Sequence, residues 1–538
     1  MTQRPLSPRP AATLILLRSG AAGLETLMLQ RTQDAAFLGG AYVFPGGSLD
    51  PRDASAERVL GLAADEANRR LGLASGALAY YVAAVRECFE EAGVLLACDS
   101  NGNPIGAERA QAVMGKRNDP FPELLEREDL YIPAGTLAYY GHWITQPGRS
   151  RRFDTRFFVA LAPEGQEGAH DATETVHHAW IAPREALARA ERGEIELVHA
   201  TRETLTDLAR FSDPRAAFEY AMDLTDIPTN RACLAKGREG SRVFRRGDAA
   251  YHEIHWCDPE ESGESGYDLV PGTAKRLDRH TARLIAPNPG AMTGPGTNTY
   301  LLGEDALAVI DPGPAIESHI EKIVSAGRVR WILCTHTHRD HSPAAVLIKR
   351  ATGATILGRP PPQGQDDTFV PDEILKEGDH VNVAGVSLRA LHTPGHASNH
   401  LCYLLEANRM LFTGDHVMQG STVVINPPDG NMRAYLASLK RLLDEDIAIL
   451  APGHGYLIGE PRREVRRLIE HRLKREAKVR AAIAQLGAAT LDEMLPLVYD
   501  DVPARMHGWA ARSLTAHLEK LVDDGEVRVA AGRYTFAR

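Results

Sequence analysis

The run Thr335-His336-Thr337-His338-Arg339-Asp340-His341 constrains this chain more than any other stretch. It follows Trp331-Ile332-Leu333-Cys334, a short apolar run of the kind that forms a buried strand. Three imidazoles and a carboxylate are thereby presented on the loop at a strand's end, a donor mixture that suits a borderline-soft divalent metal. Further donors follow: His396 in His392-Thr393-Pro394-Gly395-His396, Asp415 in Phe412-Thr413-Gly414-Asp415-His416, and His454 in Ala451-Pro452-Gly453-His454-Gly455. Each stands beside Gly or Pro just after an apolar segment, which places it on a loop at a strand end.

This set resembles the two-metal hydrolases of the metallo-β-lactamase superfamily. The resemblance implies an αβ/βα sandwich holding two zinc ions. His336, His338 and His396 would hold one, Asp340, His341 and His454 the other, and Asp415 would bridge them, with Asp340 also catalytic. The metals would lower the pKa of a shared water toward neutrality. Many antibiotic-hydrolysing relatives carry cysteine where Asp415 stands and lack a ligand at the place of His341, so this set looks more like a phosphodiesterase or thioesterase. Asn288-Pro289-Gly290 and Gly294-Pro295-Gly296-Thr297-Asn298-Thr299-Tyr300 resemble one subgroup, the lactamase-beta-2-like proteins. That subgroup includes a mitochondrial single-strand endoribonuclease and fungal polyketide thioesterases. Asp311, after the apolar run Leu307–Ile310, reads either as an orienting partner of a ligand histidine or as a turn cap.

With 538 residues the chain is long enough for several domains, each with its own core. A formal net charge of -10 weighs weakly against a general nucleic-acid binder and leaves local basic patches open. The six cysteines form no CxxC pair and no dense framework, which suits a reducing compartment. No apolar run is long enough to span a bilayer and no cleavable leader is evident, so a cytoplasmic protein without a membrane partner is expected.

In the N-terminal third, Ala12–Leu17 and Leu24–Leu29 read as strands joined by a turn at Ser19-Gly20. Glu87, Glu90 and Glu91 share one helical face, Gly93 stops the helix, and Val94-Leu95-Leu96 reads as a strand after it. Three clustered carboxylates favour a hard cation such as Mg²⁺; otherwise they form a solvated acidic face. Arg86, Gly93 and the upstream Phe44-Pro45-Gly46-Gly47 complete a pattern that resembles the Nudix box. The box is split by an insertion, as in the coenzyme A-cleaving branch, and Leu78 stands where its first glutamate is expected.

The Nudix resemblance implies an α/β/α sandwich that binds Mg²⁺ or Mn²⁺ through Glu87, Glu90 and Glu91. Glu87 and Glu90 would be catalytic in the attack of water on a diphosphate, and Arg31, Gly46, Gly47 and Arg86 would bind substrate or cofactor. Leu29-Gln30-Arg31-Thr32, Gly40 and Phe44–Gly47 resemble the coenzyme A signature, with Ala36 where an arginine is expected. Arg152–Phe158 and Glu174 ahead of Trp180 also look like that branch; Glu174 reads as an extra ligand or as a structural carboxylate.

Ala200–Ala221 has a helical pattern, Gly237–Gly240 marks a turn, and Asp258–Gly266 reads as the interdomain linker. Pro461–Arg480 carries an apolar stripe of Val465, Leu468, Ile469 and Leu473 with its bases outside it. Those bases form either a solvated face or a phosphate-binding one. From Leu491 the order helix, helix, turn, strand, strand is that of a winged helix, as in the lactamase-beta-2-like subgroup. Its second helix offers only Arg512, His517 and Lys520 for nucleic acid, against Glu519, so a packing or homodimer module is expected rather than a base reader.

The expected layout is a Nudix domain over 1–230, an extension and linker over 231–270, a metallo-β-lactamase-fold domain over 271–480 and a winged helix over 481–538. The favoured reading is a two-headed hydrolase acting on small molecules with a diphosphate and/or a thioester, such as acyl-coenzyme A. The alternatives are a nuclease whose partner is single-stranded RNA, and a regulatory protein with a ligand-sensing Nudix-like domain.

Overall fold

Ala12, Leu14 and Leu16 are buried against one core, and Ile15 and Leu17 against another. A strand covered on both faces must lie between two layers, and Arg9–Gly20 is the centre of the N-terminal sheet. The computed structural model describes residues 6–21, 23–32, 39–54, 57–117, 119–169 and 175–537, in two units, Met1–Cys233 and Leu234–Arg538.

In the first unit, Phe153–Leu161 runs parallel to Arg9–Gly20, and Ala138–Ile144 pairs antiparallel beyond it. Gly23–Arg31 folds back on the other side through a hairpin at Gly20 and Gly23. The short strand Gly46–Ser48 pairs with Arg9–Gly20, Ala12 opposite Gly47. Leu78–Ala92 covers one face of the sheet; Pro183–Glu191, His199–Leu208 and Pro214–Met222 cover the other.

Two local expectations change. Val94-Leu95-Leu96 is buried and extended but joins no strand. The Gln166 amide takes the place of a neighbouring strand, accepting from Leu95 N at 2.9 Å and donating to Leu95 O at 3.1 Å. The helical stretch at 200–221 is two helices, His199–Leu208 and Pro214–Met222, and Pro214 opens the second, where its missing N–H forfeits no bond. Asp213 caps the second by accepting from the backbone of Arg215 and Ala216. Ala36 and Glu174 lie outside the described residues.

The second unit stacks a seven-stranded sheet on a five-stranded one, with Tyr300, Leu333, Tyr403 and Phe412 among the side chains between them. Helices Glu317–Ser325 and Ala344–Thr352 cover the first sheet, and Met432–Leu442 and Pro461–Leu486 the second. Leu491–Val498, His507–Asp523 and the hairpin of Val527–Ala530 with Arg533–Phe536 close a small terminal core around Val479 and Ile483. The long helix therefore serves two cores. Its buried stripe runs through Val465, Leu468, Arg472, Arg475, Glu476 and Val479, whereas Leu473 is 45% exposed. The 3.6-residue period carries the stripe through Arg472 and away from Leu473.

From Leu234 on, the stretch read as extension and linker belongs to this unit and carries secondary structure of its own. Cys233–Gly237 and Gly240–Phe244 form a hairpin, Tyr251–Cys257 is a helix, and Asp258 accepts from the backbone of Ser262 and Gly263. No described helix is long and apolar enough to cross a membrane.

Candidate metal centre

The strands Ala306–Ile310 and Arg328–Leu333 run parallel, so Asp311 and the loop 335–341 emerge at the same edge of the first sheet. Val386–His392, Met410–Gly414 and Ile449–Pro452 deliver His396, Asp415 and His454 from the second. The structure gathers these donors into two groups, His336, His338 and His396, and Asp340, His341, Asp415 and His454. Within each, the donor atoms lie within 4.8 Å of one another.

In the first group, His336 Nε2 and His396 Nε2 approach His338 Nδ1 to 2.9 and 3.0 Å. In the second, Asp415 Oδ1 lies 3.4 Å from both His341 Nε2 and His454 Nε2. The other oxygen, Asp415 Oδ2, lies 3.8 Å from His396 Nε2, so this carboxylate spans both groups. Gly453 makes the approach possible, since a Cβ there would stand 2.7 Å from Asp415 Oδ1.

The outward nitrogens are held in turn. His341 Nδ1 meets Asp311 Oδ2 at 2.9 Å, His396 Nδ1 meets Val424 O at 2.9 Å, and His454 Nδ1 meets Gly296 O at 3.2 Å. Asp311 also accepts from Thr335 N and Thr335 Oγ1, which makes it an orienting partner of the histidine loop. The inward atoms His341 Nε2, His454 Nε2 and Asp415 Oδ1 are buried without a hydrogen bond. Such orphans are costly, and a divalent cation coordinated by them removes that cost; the donor set fits one.

Charge divides the groups. Burial, then the neighbouring imidazoles, hold His336 well below the usual histidine range, and burial with His396 brings His338 down to about 3. Burial opposes charge on His341 too, but Asp340, Asp415 and Asp311 outweigh it and raise its pKa. One group is thus three imidazoles without a carboxylate, and the other pairs two imidazoles with two carboxylates.

In the first unit, Arg86 is the hub of the acidic helix. It donates to Asp53 through Nε and Nη2 at 2.9 Å each, to Glu87 at 2.8 Å, to Glu90 at 2.9 Å and to Ser48 O at 2.9 Å. Glu91 accepts from Gly46 N at 3.0 Å, and Gly47 lies where a Cβ would strike the Glu87 carboxylate at 2.5 Å. Arg31 ends its strand, its backbone bonded to Gly40 and Ala41. Among the described residues the converging donor groups are the two of the second unit. Glu87 and Glu90 share the Arg86 guanidinium, which offsets their repulsion. Burial pushes the Glu87 carboxyl up to about 7 although Arg86 opposes it.

The family described as the metallo-beta-lactamase superfamily matches residues 292–454, the NUDT19 Nudix domain 74–200, and the beta-lactamase associated winged helix domain 490–533. An atrochrysone carboxyl ACP thioesterase of Aspergillus chevalieri is 31% identical over 278 residues, 48% of this chain and 86% of that protein. The chain belongs to the metallo-β-lactamase superfamily. A beta-lactamase-like protein 2 homolog of Drosophila melanogaster is 30% identical over 279 residues, 48% of this chain and 94% of that one. A solved Nudix hydrolase of Alicyclobacillus acidocaldarius is 31% identical, covering 40% of this chain and 96% of that chain at a TM-score of 0.34. With a metallo-β-lactamase domain, a Nudix domain and a winged helix, the chain is a hydrolase that uses divalent metal and acts on small-molecule substrates.

Sequence reasoning missed several residues that support these domains. Asp53, 1% exposed inside the Nudix insertion, fixes Arg86 and carries no motif signal. Around the metallo-β-lactamase centre, Arg472 donates to Val423 O and Ser513 Oγ meets Ile425 N at 3.4 Å, on either side of the Val424 carbonyl that holds His396. Arg472 and Arg475 are thus buried structural cations, not part of an outer basic face. Most of the other bases on that helix are paired: Arg463 with Glu460, Arg467 with Glu464, Lys478 with Asp500 and Arg480 with Glu526. On the winged helix, His517 is buried beside Glu476, and Lys520 is paired with Glu476 and Asp524.

Proposed function

We propose that the metallo-β-lactamase head is a dinuclear zinc hydrolase of an acyl thioester such as acyl-coenzyme A. The Nudix head would cleave the diphosphate of coenzyme A or a nucleoside diphosphate derivative with Mg²⁺ or Mn²⁺. The observation that carries the first part is the Asp415 carboxylate, one oxygen facing each donor group. In this reading His336, His338 and His396 hold one ion, Asp340, His341 and His454 the other, and Asp415 belongs to both. Bound there, the ions supply an acidified water and polarise the scissile carbonyl. Asp340 has the most exposed side chain of its group, at 30%, and in this reading it is also the catalytic carboxylate that takes the proton of the attacking water.

Two facts favour a thioester over RNA. Relatives covered over most of their length carry thioesterase names, and the bases of the long helix are largely neutralised by their own carboxylates. In the Nudix head, Glu87, Glu90 and Glu91 would take the cation, with Arg86, Arg31, Gly46 and Gly47 on the substrate side.

The test is the full-length chain assayed on acyl-coenzyme A, coenzyme A and single-stranded RNA across a salt series. Thioester cleavage should vanish in His338→Ala and persist in Glu90→Gln, with the opposite pattern for the coenzyme A diphosphate. RNA nicking that collapses steeply with salt, without thioester cleavage, would overturn the substrate reading in favour of a nuclease.

A further inference from the structure

The loop that carries His454 is gripped by a charge cluster whose central carboxylate lies ahead of the matched metallo-β-lactamase region. Glu253, on the helix Tyr251–Cys257, is fully buried and precedes that region, which begins at 292. It accepts from Arg283 Nη1 at 2.5 Å, Arg283 Nη2 at 2.9 Å and Lys275 Nζ at 2.6 Å. Its fourth partner is the backbone N–H of Leu457, at 3.0 Å. Arg283, 1% exposed on the strand Thr281–Ile285, also donates to Gly455 O at 3.2 Å. The two buried ions therefore hold the loop one and three residues beyond His454.

The near side of the loop is held as well. Asn298 N donates to Gly453 O at 2.7 Å, Asn298 Nδ2 to Pro452 O and Gly455 O at 2.9 Å each, and Tyr300 OH to Pro452 O at 2.7 Å. Between these anchors His454 Nε2 faces Asp340 and Asp415 at 3.4 Å.

Desolvating a carboxylate and a guanidinium costs several kcal/mol per ion, and well-packed apolar side chains give equal or better stability. What an apolar pair cannot do is bond both the Gly455 carbonyl and the Leu457 amide. We infer that Glu253 and Arg283 are positioning residues that set the placement of His454, so that the stretch before the metallo-β-lactamase domain is part of its metal centre's support. This rests on the reading of His454 as a metal ligand.

The experiment measures zinc binding to the full-length chain by competition with a chelating indicator, alongside thermal unfolding in chelator. The double variant Glu253→Leu with Arg283→Met removes both charges, so neither is left buried and alone. It should fold, yet bind one of two zinc equivalents at least tenfold more weakly, the other unchanged. Arg283→Lys keeps the charge, but its ammonium ends one bond short of the Nη1 that bonds both Glu253 and Gly455, and should weaken the same equivalent if the double variant fails to fold. Lys275→Met touches Glu253 but not the loop and should bind both equivalents normally. A folded double variant, or Arg283→Lys, with two equivalents at wild-type affinity would overturn the brace. A wild-type chain that takes up fewer than two equivalents would overturn the metal reading and the brace together.

Discussion

Asp311→Asn changes one atom in the support of the metal centre. Asp311 is 1% exposed; its Oδ1 accepts from Thr335 N at 2.7 Å, and its Oδ2 from Thr335 Oγ1 and His341 Nδ1 at 2.9 Å each. An asparagine of the same shape must keep its oxygen on the Thr335 amide, which puts its NH₂ where Oδ2 was. His341 Nδ1 then faces a donor and must become an acceptor, and the ring proton moves to Nε2. That nitrogen is the buried, unbonded atom directed at Asp415. Losing such an outer partner typically weakens metal binding by about 10–100-fold, or roughly 1.4–2.8 kcal/mol. A zinc titration of the folded variant should show one equivalent weakened by this amount and the other intact. Two equivalents at unchanged affinity, with an unchanged unfolding midpoint, would refute the argument that Asp311 sets the His341 tautomer.

Three further outcomes are expected. Gly453→Ala places a methyl 2.7 Å from Asp415 Oδ1 and should cost at least one zinc equivalent by metal analysis, with the sheet intact by circular dichroism. Arg472→Met removes the bond to Val423 O beside the His396 anchor and should lower hydrolysis more than it lowers the unfolding midpoint, as measured by kinetics and calorimetry on one preparation. Burial alone would raise the Glu253 pKa, but Arg283 and Lys275 outweigh it and hold it at about 2 against an ordinary 4.5. A depressed carboxylate stabilises the fold above the unfolded value and loses that contribution as pH falls, here between about 4.5 and 2, worth roughly 3 kcal/mol. Denaturant titrations should therefore show a shallower acid loss in the Glu253→Leu, Arg283→Met pair than in the wild type.

The local chemistry of the chain was legible without coordinates. The histidine loop, Gly395-His396, Gly414-Asp415 and Gly453-His454 announce themselves because a donor at a strand end needs a specific side chain, a turn and an apolar run, all within a few residues. The order of the winged helix and the first two strands of the N-terminal sheet follow from the same short-range periodicities. Where sequence reasoning faltered, the competing partner was distant or unusual. The Gln166 amide stands in for a strand beside Leu95, and Arg472 and Arg475 continue a stripe that Leu473 was expected to extend.

Only the tertiary structure decided which ring nitrogen of His341, His396 and His454 faces the centre, because that is set by the atom bonded to the other one. For His454 this atom belongs to Gly296, 158 residues away, and the carboxylate bracing its loop belongs to Glu253, 204 residues before its partner Leu457. Likewise the Nudix glutamates are read from their helical spacing, but their charge state depends on Arg86 and on a buried Asp53 that no motif marks. Donor identity is a property of single residues. Donor orientation and protonation are properties of hydrogen bonds and burial that exist only once remote segments have packed together.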